Sequence, residues 1–202
     1  MAITTRAGKG TALTHPELDG NFADLDGRVT VLEDRAIWAY GYEDHNDTGT
    51  TQNMTKDVDM LLENDGLGAF TDETNIIPGR GSIWNPTTHQ FEFDTAGLVV
   101  GDTVTMRFDM LITTGAANTD VLLRLDAAVG GLGPFSLNVA RYSFKNIGEQ
   151  AVTAIMELHI GSTDIIDFPM EVILQADAAG SSVVNVGHYV KYMLQHPEYI
   201  NA

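Results

Sequence analysis

Residues 103–112, with the sequence TVTMRFDMLI, carry the clearest strand pattern in the chain. Apolar side chains occupy every second position, at Val104, Met106, Phe108, Met110 and Ile112. Most of the residues between them are Thr, Arg or Asp. Successive side chains of a β-strand point to opposite faces, so this alternation predicts a strand with one buried face and one polar face.

Similar alternation continues along the chain in both directions from this strand. Alternating runs follow at residues 121–125, 135–139, 152–160, 170–174 and 184–194, and shorter ones precede it at 37–42, 58–62 and 91–93. Turns rich in Gly, Asn and Asp separate the runs, with no helical crossover pattern between them. Roughly eight to ten short strands of this kind predict a mainly β fold, an antiparallel β-sandwich of the jelly-roll type.

The N-terminal residues follow a helical period instead. Thr14 and Glu17 have the spacing of a capping box, which predicts that a helix begins there. Apolar residues then recur in heptad steps, at Leu18, Phe22, Leu25, Val29, Leu32 and Ala36. The pattern therefore predicts an arm at residues 1–13, a coiled-coil helix at 14–36 and a β-sandwich head at 37–202.

Two interpretations of this helix are open, a coiled coil or an amphipathic helix packed on its own domain. The apolar seam is narrow, whereas a helix on a globular core usually has a wider apolar face. Gly20 and Gly27 each cost about 1 kcal/mol relative to alanine in a helix interior. Self-association is therefore favoured, and the aromatic Phe22 in the seam suits a core wider than that of a dimer.

Composition excludes several classes of function. The 202 residues include 28 acidic and 11 basic side chains, for a net charge of −17. This field repels phosphate backbones and anionic lipids, so we expect no nucleic-acid partner and no electrostatic binding to membranes. The absence of cysteine excludes disulfides and thiolate metal sites. Because the sequence shows no signal peptide and no apolar run of about 20 residues, we expect synthesis in the cytoplasm and no membrane insertion.

Candidate sites for chemistry are few. The six histidines form neither His-x-His nor His-Glu-x-x-His, so the sequence predicts no metal site, no cofactor and no catalytic residue. His188 is expected to be a half-buried structural residue. Asp57 and Asp59 lie two apart and leave a remote alternative, a glycan-cleaving enzyme on a β-sandwich.

One acidic segment matches part of a calcium-binding loop. Asp44, Asn46, Thr48 and Gly49 match the first ligand positions, but Thr55 stands where the bidentate glutamate belongs. The sequence therefore predicts a solvated acidic loop at residues 43–51.

The segment KGTALTHPELDGNF, residues 9–22, resembles the "G-S-P-L-T-H-x-E-x-D-x-N-F" element near the N-terminus of bacteriophage tail fibre, baseplate and other virion appendage proteins. The continuation LDGRVTVLE, residues 25–33, resembles the short coiled coil that often follows it. The sequence departs from the element at Ala12, where proline is common, and at Gly20, where alanine is common. The resemblance implies a virion protein that docks to other virion proteins through residues 1–13.

A second resemblance involves the head. Residues 64–69 (NDGLGA), 82–85 (SIWN) and 101–104 (GDTV) are similar to trimeric phage fibre heads with a tumour-necrosis-factor-like jelly roll. This similarity implies a homotrimer packed around aromatic and aliphatic residues, with a distal surface available for host recognition. The polar, uncharged loop at 113–119 is a candidate for contacting a host glycan or protein.

These observations favour a trimeric bacteriophage fibre located in the virion and acting by assembly and adhesion, not catalysis. An alternative within the virion is a capsid-attached head fibre or a baseplate connector without receptor contact.

Overall fold

The computed structural model describes residues 12–14, 16, 18–25 and 39–194. Within these residues, eleven strands alternate with turns: β1 (Ala39–Asn46), β2 (Thr51–Met54), β3 (Met60–Leu61), β4 (Trp84–Asn85), β5 (Gln90–Phe91), β6 (Thr103–Thr114), β7 (Thr119–Ala127), β8 (Phe135–Phe144), β9 (Gly148–His159), β10 (Met170–Ala176) and β11 (Ser181–Leu194). A short helix, Thr163–Asp167, lies between β9 and β10. None of the helices formed by the described residues is long and apolar enough to cross a membrane.

The strands form two sheets, here called sheet A and sheet B. Sheet A has the order β1-β11-β6-β9, and β2 also pairs with β11. Sheet B has the order β4-β5-β10-β7-β8, and β3 also pairs with β10. The registered neighbours in both sheets are antiparallel, including the long pairs β6 with β9 and β7 with β8.

The connections between the sheets define the topology. The chain passes from sheet A to sheet B between β6 and β7, and returns between β8 and β9. It returns again between β10 and β11, so that the last strand lies beside the first. This exchange of the chain between a five-stranded and a six-stranded sheet is typical of a jelly roll. The predicted fold class, an antiparallel β-sandwich of the jelly-roll type, is confirmed.

The core lies between the sheets and is built by the predicted alternation. All five alternating apolar residues of β6, from Val104 to Ile112, are buried, with exposed fractions of 1% or less. Sheet B contributes the facing residues, which include Phe91, Leu123, Leu125, Val172 and Leu174. Unit Tyr40–Leu194 contains this core, and the described helical residues 18–25 belong to a different unit.

Strand β11 departs from the predicted pattern. The sequence places Val184, Val186 and His188 on one face, but the register with β6 shifts between Asn185 and Gly187. A β-bulge adds one residue and reverses the alternation beyond it. Val186 is therefore exposed, whereas His188 is almost completely buried and not half-buried as expected. The helix between β9 and β10 was also not predicted.

Candidate assembly surface and buried polar cluster

A row of large side chains crosses the outer face of sheet A. The rings of Tyr42 and Tyr189 lie 6.0 Å apart. Arg107 is registered opposite Tyr189, and its guanidinium carbon lies 5.7 Å from the centre of that ring. Ile155 is registered opposite Arg107 on the next strand, with 67% of its surface exposed. The row therefore combines aromatic, cationic and aliphatic groups on one face.

Neighbouring positions extend this surface. Tyr40 is 63% exposed, and the centre of its ring lies 5.6 Å from the Lys191 ammonium nitrogen. Val186 is 41% exposed. Asp109 accepts hydrogen bonds from Arg107 at 2.9 Å and from Thr153 at 2.7 Å. Surface of this composition is typical of protein–protein interfaces, which are enriched in Tyr and Arg. We call it the sheet A outer face.

The β6–β7 connection lies beside the beginning of β11. Thr113, near the end of β6, is registered with Ser182, whereas Thr103, at the start of β6, is registered with Met193. The candidate loop at 113–119 is shorter than expected, because Thr114 and Thr119 belong to strands and are buried. Only residues 115–118 form the connection, and Gly115 there packs against the backbone of Gly180.

Strand β1 brings an unusual set of residues into the interior. Its inward positions are Gly41, Glu43 and His45, all buried. Gly41 is required by packing, because a Cβ atom there would lie 2.5 Å from the Tyr192 ring. The prediction of a solvated acidic loop at 43–51 is wrong for residues 43–46. The residues through Asn46 continue the strand, and Glu43 and His45 face the core.

The Glu43 carboxylate is held by three kinds of donor. The Ser82 hydroxyl donates to it at 2.6 Å and the Ile83 amide at 3.1 Å. The third partner is Nε2 of His45, 2.9 Å from Glu43 Oε2. A buried carboxylate is tolerated only when it is hydrogen-bonded in this way. Glu43 therefore fixes the strand β1 to the segment that precedes β4.

The other nitrogen of the His45 ring faces a second carboxylate. Nδ1 lies 3.5 Å from Glu73 Oε1, and the Glu73 side chain is half exposed. Glu43, His45 and Glu73 each offer one ligand atom, and these atoms lie within 4.8 Å of one another. The sequence alone does not predict this cluster. The period-two spacing of Glu43 and His45 was an available signal, but Glu73 is brought close only by the fold.

His188 lies beside this cluster, its ring 5.2 Å from that of His45. The Asn64 side-chain nitrogen lies 3.1 Å from His188 Nδ1, and the Asn64 oxygen accepts from the Gly66 amide at 2.8 Å. This orientation makes Nδ1 an acceptor, so the proton of the neutral ring is on Nε2. Burial holds the pKa of His188 well below its usual value.

The cluster differs from an acyl-transfer triad. Ser82 donates to Glu43, whereas in a Ser-His-Asp triad the histidine accepts the serine proton. The two carboxylates of the remote alternative have different basic partners. Asp59 binds the Arg124 guanidinium at 2.6 and 2.9 Å, and Asp57 is an exposed residue 3.8 Å from Lys56.

The predicted coiled-coil seam is described only in part. Residues 18–25 are helical, and the Leu18 amide donates to the Thr14 carbonyl at 3.0 Å. Leu18, Phe22 and Leu25 expose 38%, 69% and 49% of their surface. Glu17 of the capping box and the seam residues Val29, Leu32 and Ala36 lie outside the described residues, as do residues 1–11 of the arm. The coiled coil and the cap therefore stay predictions.

No protein-family model and no curated protein sequence matches the chain. Several solved structures are similar to it at low identity. Eiger TNF from S. frugiperda is 9% identical over 79% of this chain and 93% of its own, with a TM-score of 0.41. The globular domain of zebrafish complement 1qA is 10% identical over 78% and 98%, with a TM-score of 0.40.

A viral structure is similar to the same extent. The infectious bursal disease virus Gx strain structure is 7% identical with a TM-score of 0.41, and the match covers 80% of this chain but only 33% of that one. Sequence identities and TM-scores this low indicate nothing about the function of this chain. The assignment of the jelly roll rests on strand order and register, and in those terms the chain is a jelly-roll protein.

Proposed function

We propose that this chain is a structural protein of a bacteriophage virion, a homotrimeric fibre that docks by its N-terminus and presents the jelly-roll head. The observation that supports the trimer is the sheet A outer face. Large apolar and aromatic side chains such as Ile155 and Tyr40 lie exposed there in the single chain. Contiguous exposed apolar surface on a soluble protein usually marks a binding site.

Charge makes a second copy of this chain a reasonable occupant of that face. Copies with a net charge of −17 repel one another, so the contact must place few carboxylates against each other. Two of the chain's eleven basic residues, Arg107 and Lys191, lie on the sheet A outer face. Exposed acidic residues such as Glu149 and Glu157 lie on β9, the edge strand of the same sheet. A neighbouring copy can therefore pair its acidic edge with this face.

The placement in a phage virion is supported by the element at residues 9–22. The exposed seam residues Leu18, Phe22 and Leu25 are consistent with a helix that needs partner helices. Residues 1–13 would carry docking. The head would contact a host glycan, a host protein or a neighbouring virion protein through its loops.

The mass of the complete chain in solution tests the assembly. Sedimentation equilibrium at micromolar concentration should give three times the chain mass of 21.9 kDa. A monomer mass would contradict the trimer. Antibodies raised against the head should label intact phage particles, and labelling of lysates but not of purified particles would contradict the virion location.

A further inference from the structure

The His45 ring lies between two carboxylates that it contacts differently. Nε2 and Glu43 Oε2 are 2.9 Å apart, which is a normal hydrogen bond. Nδ1 and Glu73 Oε1 are 3.5 Å apart, which is longer than the range of about 2.7–3.2 Å for such bonds. The two sides of the ring therefore need separate explanations.

Glu43 determines which ring nitrogen carries hydrogen. An ionised carboxylate only accepts, and Glu43 already accepts from Ser82 and Ile83. Nε2 of His45 must therefore donate to Glu43. Nδ1 is then the ring nitrogen that is left to bind a ligand, and it lies beside the oxygen of Glu73. A cation between these two atoms could bind both of them.

The distance fits a metal ion. Zinc binds imidazole nitrogen and carboxylate oxygen at about 2.0–2.2 Å, so two ligands of a tetrahedral ion lie about 3.4 Å apart. The geometry points to a site for a divalent transition metal ion such as Zn²⁺, with His45 Nδ1 and Glu73 as protein ligands. Water completes the coordination, since Glu73 is half exposed.

The buried Glu43 has the position of an outer-shell partner in this site. Histidines that bind metal usually donate their other N–H to a carboxylate, which orients the ring and makes it a stronger ligand. The imidazole nitrogen favours zinc, cobalt or nickel over calcium and magnesium, which prefer oxygen ligands. This proposal departs from the prediction that the chain has no metal site.

The bound ion would fasten a loop to an edge strand. The segment at residues 68–75 covers the free edge of β1, where Asp44 and Asp72 exchange backbone hydrogen bonds at 3.0 and 2.8 Å. Glu73 belongs to this covering segment and His45 to the strand. Covered edges do not pair with other chains, so the ion would protect sheet A from unwanted strand addition.

The test uses the complete chain after treatment with a chelator. Zinc titration followed by calorimetry should show one ion per chain, and thermal unfolding should shift to higher temperature with zinc. The variant Glu73→Gln should bind zinc at least ten-fold more weakly, while Asp167→Asn, at an exposed carboxylate on the helix between β9 and β10, should match the unchanged protein. Cobalt should add visible absorption bands in the unchanged protein and not in Glu73→Gln.

Three outcomes would overturn the site. The first is no saturable zinc binding, and the second is equal binding by Glu73→Gln. The third is a nitrogen NMR spectrum in which both nitrogens of His45 stay protonated with zinc present. That result would mean that the ring is an imidazolium ion bridging the two carboxylates. If Glu73→Gln misfolds, His45→Gln tests the same ligand set, and its retained zinc binding would equally reject the site.

Discussion

The two sheets differ in where they carry polar and large apolar side chains. Sheet B follows the usual rule, with Leu123, Leu125 and Leu174 among the buried residues of its inner face. Its outer face carries polar groups that satisfy one another, such as Gln90 with Glu171 at 2.7 Å. Sheet A has Glu43, His45 and His188 on its inner face, and tyrosines and aliphatic residues on its outer face.

This contrast indicates where the molecule departs from what folding alone requires. Burying a polar group costs free energy unless every hydrogen bond is satisfied, and exposing a large apolar group forgoes the gain of burying it. Sheet A does both, so its sequence answers to something besides the stability of one chain. We interpret the outer face as an assembly surface and the inner cluster as a binding site.

The largest expected effect comes from a charge placed on the sheet A outer face. In Ile155→Asp the added carboxylate would lie between copies opposite the acidic edge of a neighbour, and a charge buried there without a partner costs several kcal/mol at each interface by order of magnitude. The single chain should tolerate the change, because surface substitutions alter stability by about 0.5 kcal/mol or less. Sedimentation should therefore report monomers with an unchanged β-type circular dichroism spectrum.

The matched control places the same charge on sheet B. Leu122 lies half buried on the outward side of β7 and is registered opposite Arg141. Leu122→Asp should leave the assembly mass unchanged. If both variants remain trimeric, or if both become monomeric, the distinction between the two outer faces is wrong.

The second prediction concerns the inner face of sheet A. Glu43→Gln keeps the shape of the side chain but removes the charge that binds His45, Ser82 and Ile83. Leaving a buried hydrogen-bonding group unsatisfied costs about 1–3 kcal/mol, and more for a charged group. Urea unfolding should show this loss, whereas Asp167→Asn, at an exposed position outside both sheets, should change the free energy of unfolding by less than about 0.5 kcal/mol. Equal stabilities would show that Glu43 carries no charge in the folded chain.

Sequence patterns predicted the parts of this architecture that depend on neighbouring residues. The alternation in β6 identified its buried face because five apolar side chains share one period. The polar alternation of Glu43 and His45 has the same period, but strand patterns are recognised by apolar residues, so it was interpreted as a loop. Glu73 could not be placed beside His45, because only the path of the chain around β1 brings them together. The β11 bulge is likewise invisible in a regular alternation.

A smaller effect is expected from pH, through His188. Because its folded pKa lies well below the unfolded value of about 6.5, the unfolded chain binds more protons between the two values. The contribution of His188 to the free energy of unfolding is fully present above pH 6.5. It declines as the pH falls, by at most about 1.4 kcal/mol per pH unit. Urea midpoints measured between pH 7.5 and 5 should therefore depend less on pH in His188→Gln than in the unchanged chain. His159→Gln, at an exposed position, should keep the original slope. A slope unaffected by His188→Gln would show that folding does not lower the pKa of this ring.

The smallest effect should come from the ion pairs on the outer face of sheet B. Arg124 binds Asp126 and Asp59, and its hydrogen bonds lower the pKa of Asp126. A lowered carboxyl pKa contributes stability above about pH 4 that is lost as the carboxylate is protonated in acid. Because Asp59 is 45% exposed, solvent screens the interaction, and Arg124→Ala should cost about 1 kcal/mol or less. The cost should shrink with added salt and below pH 4, as measured by urea unfolding, and the assembly mass should not change.

Arg107→Ala on the sheet A outer face should instead weaken the trimer and leave the stability of the monomer unchanged. Equal behaviour of the two arginine variants would remove the contrast between the two faces.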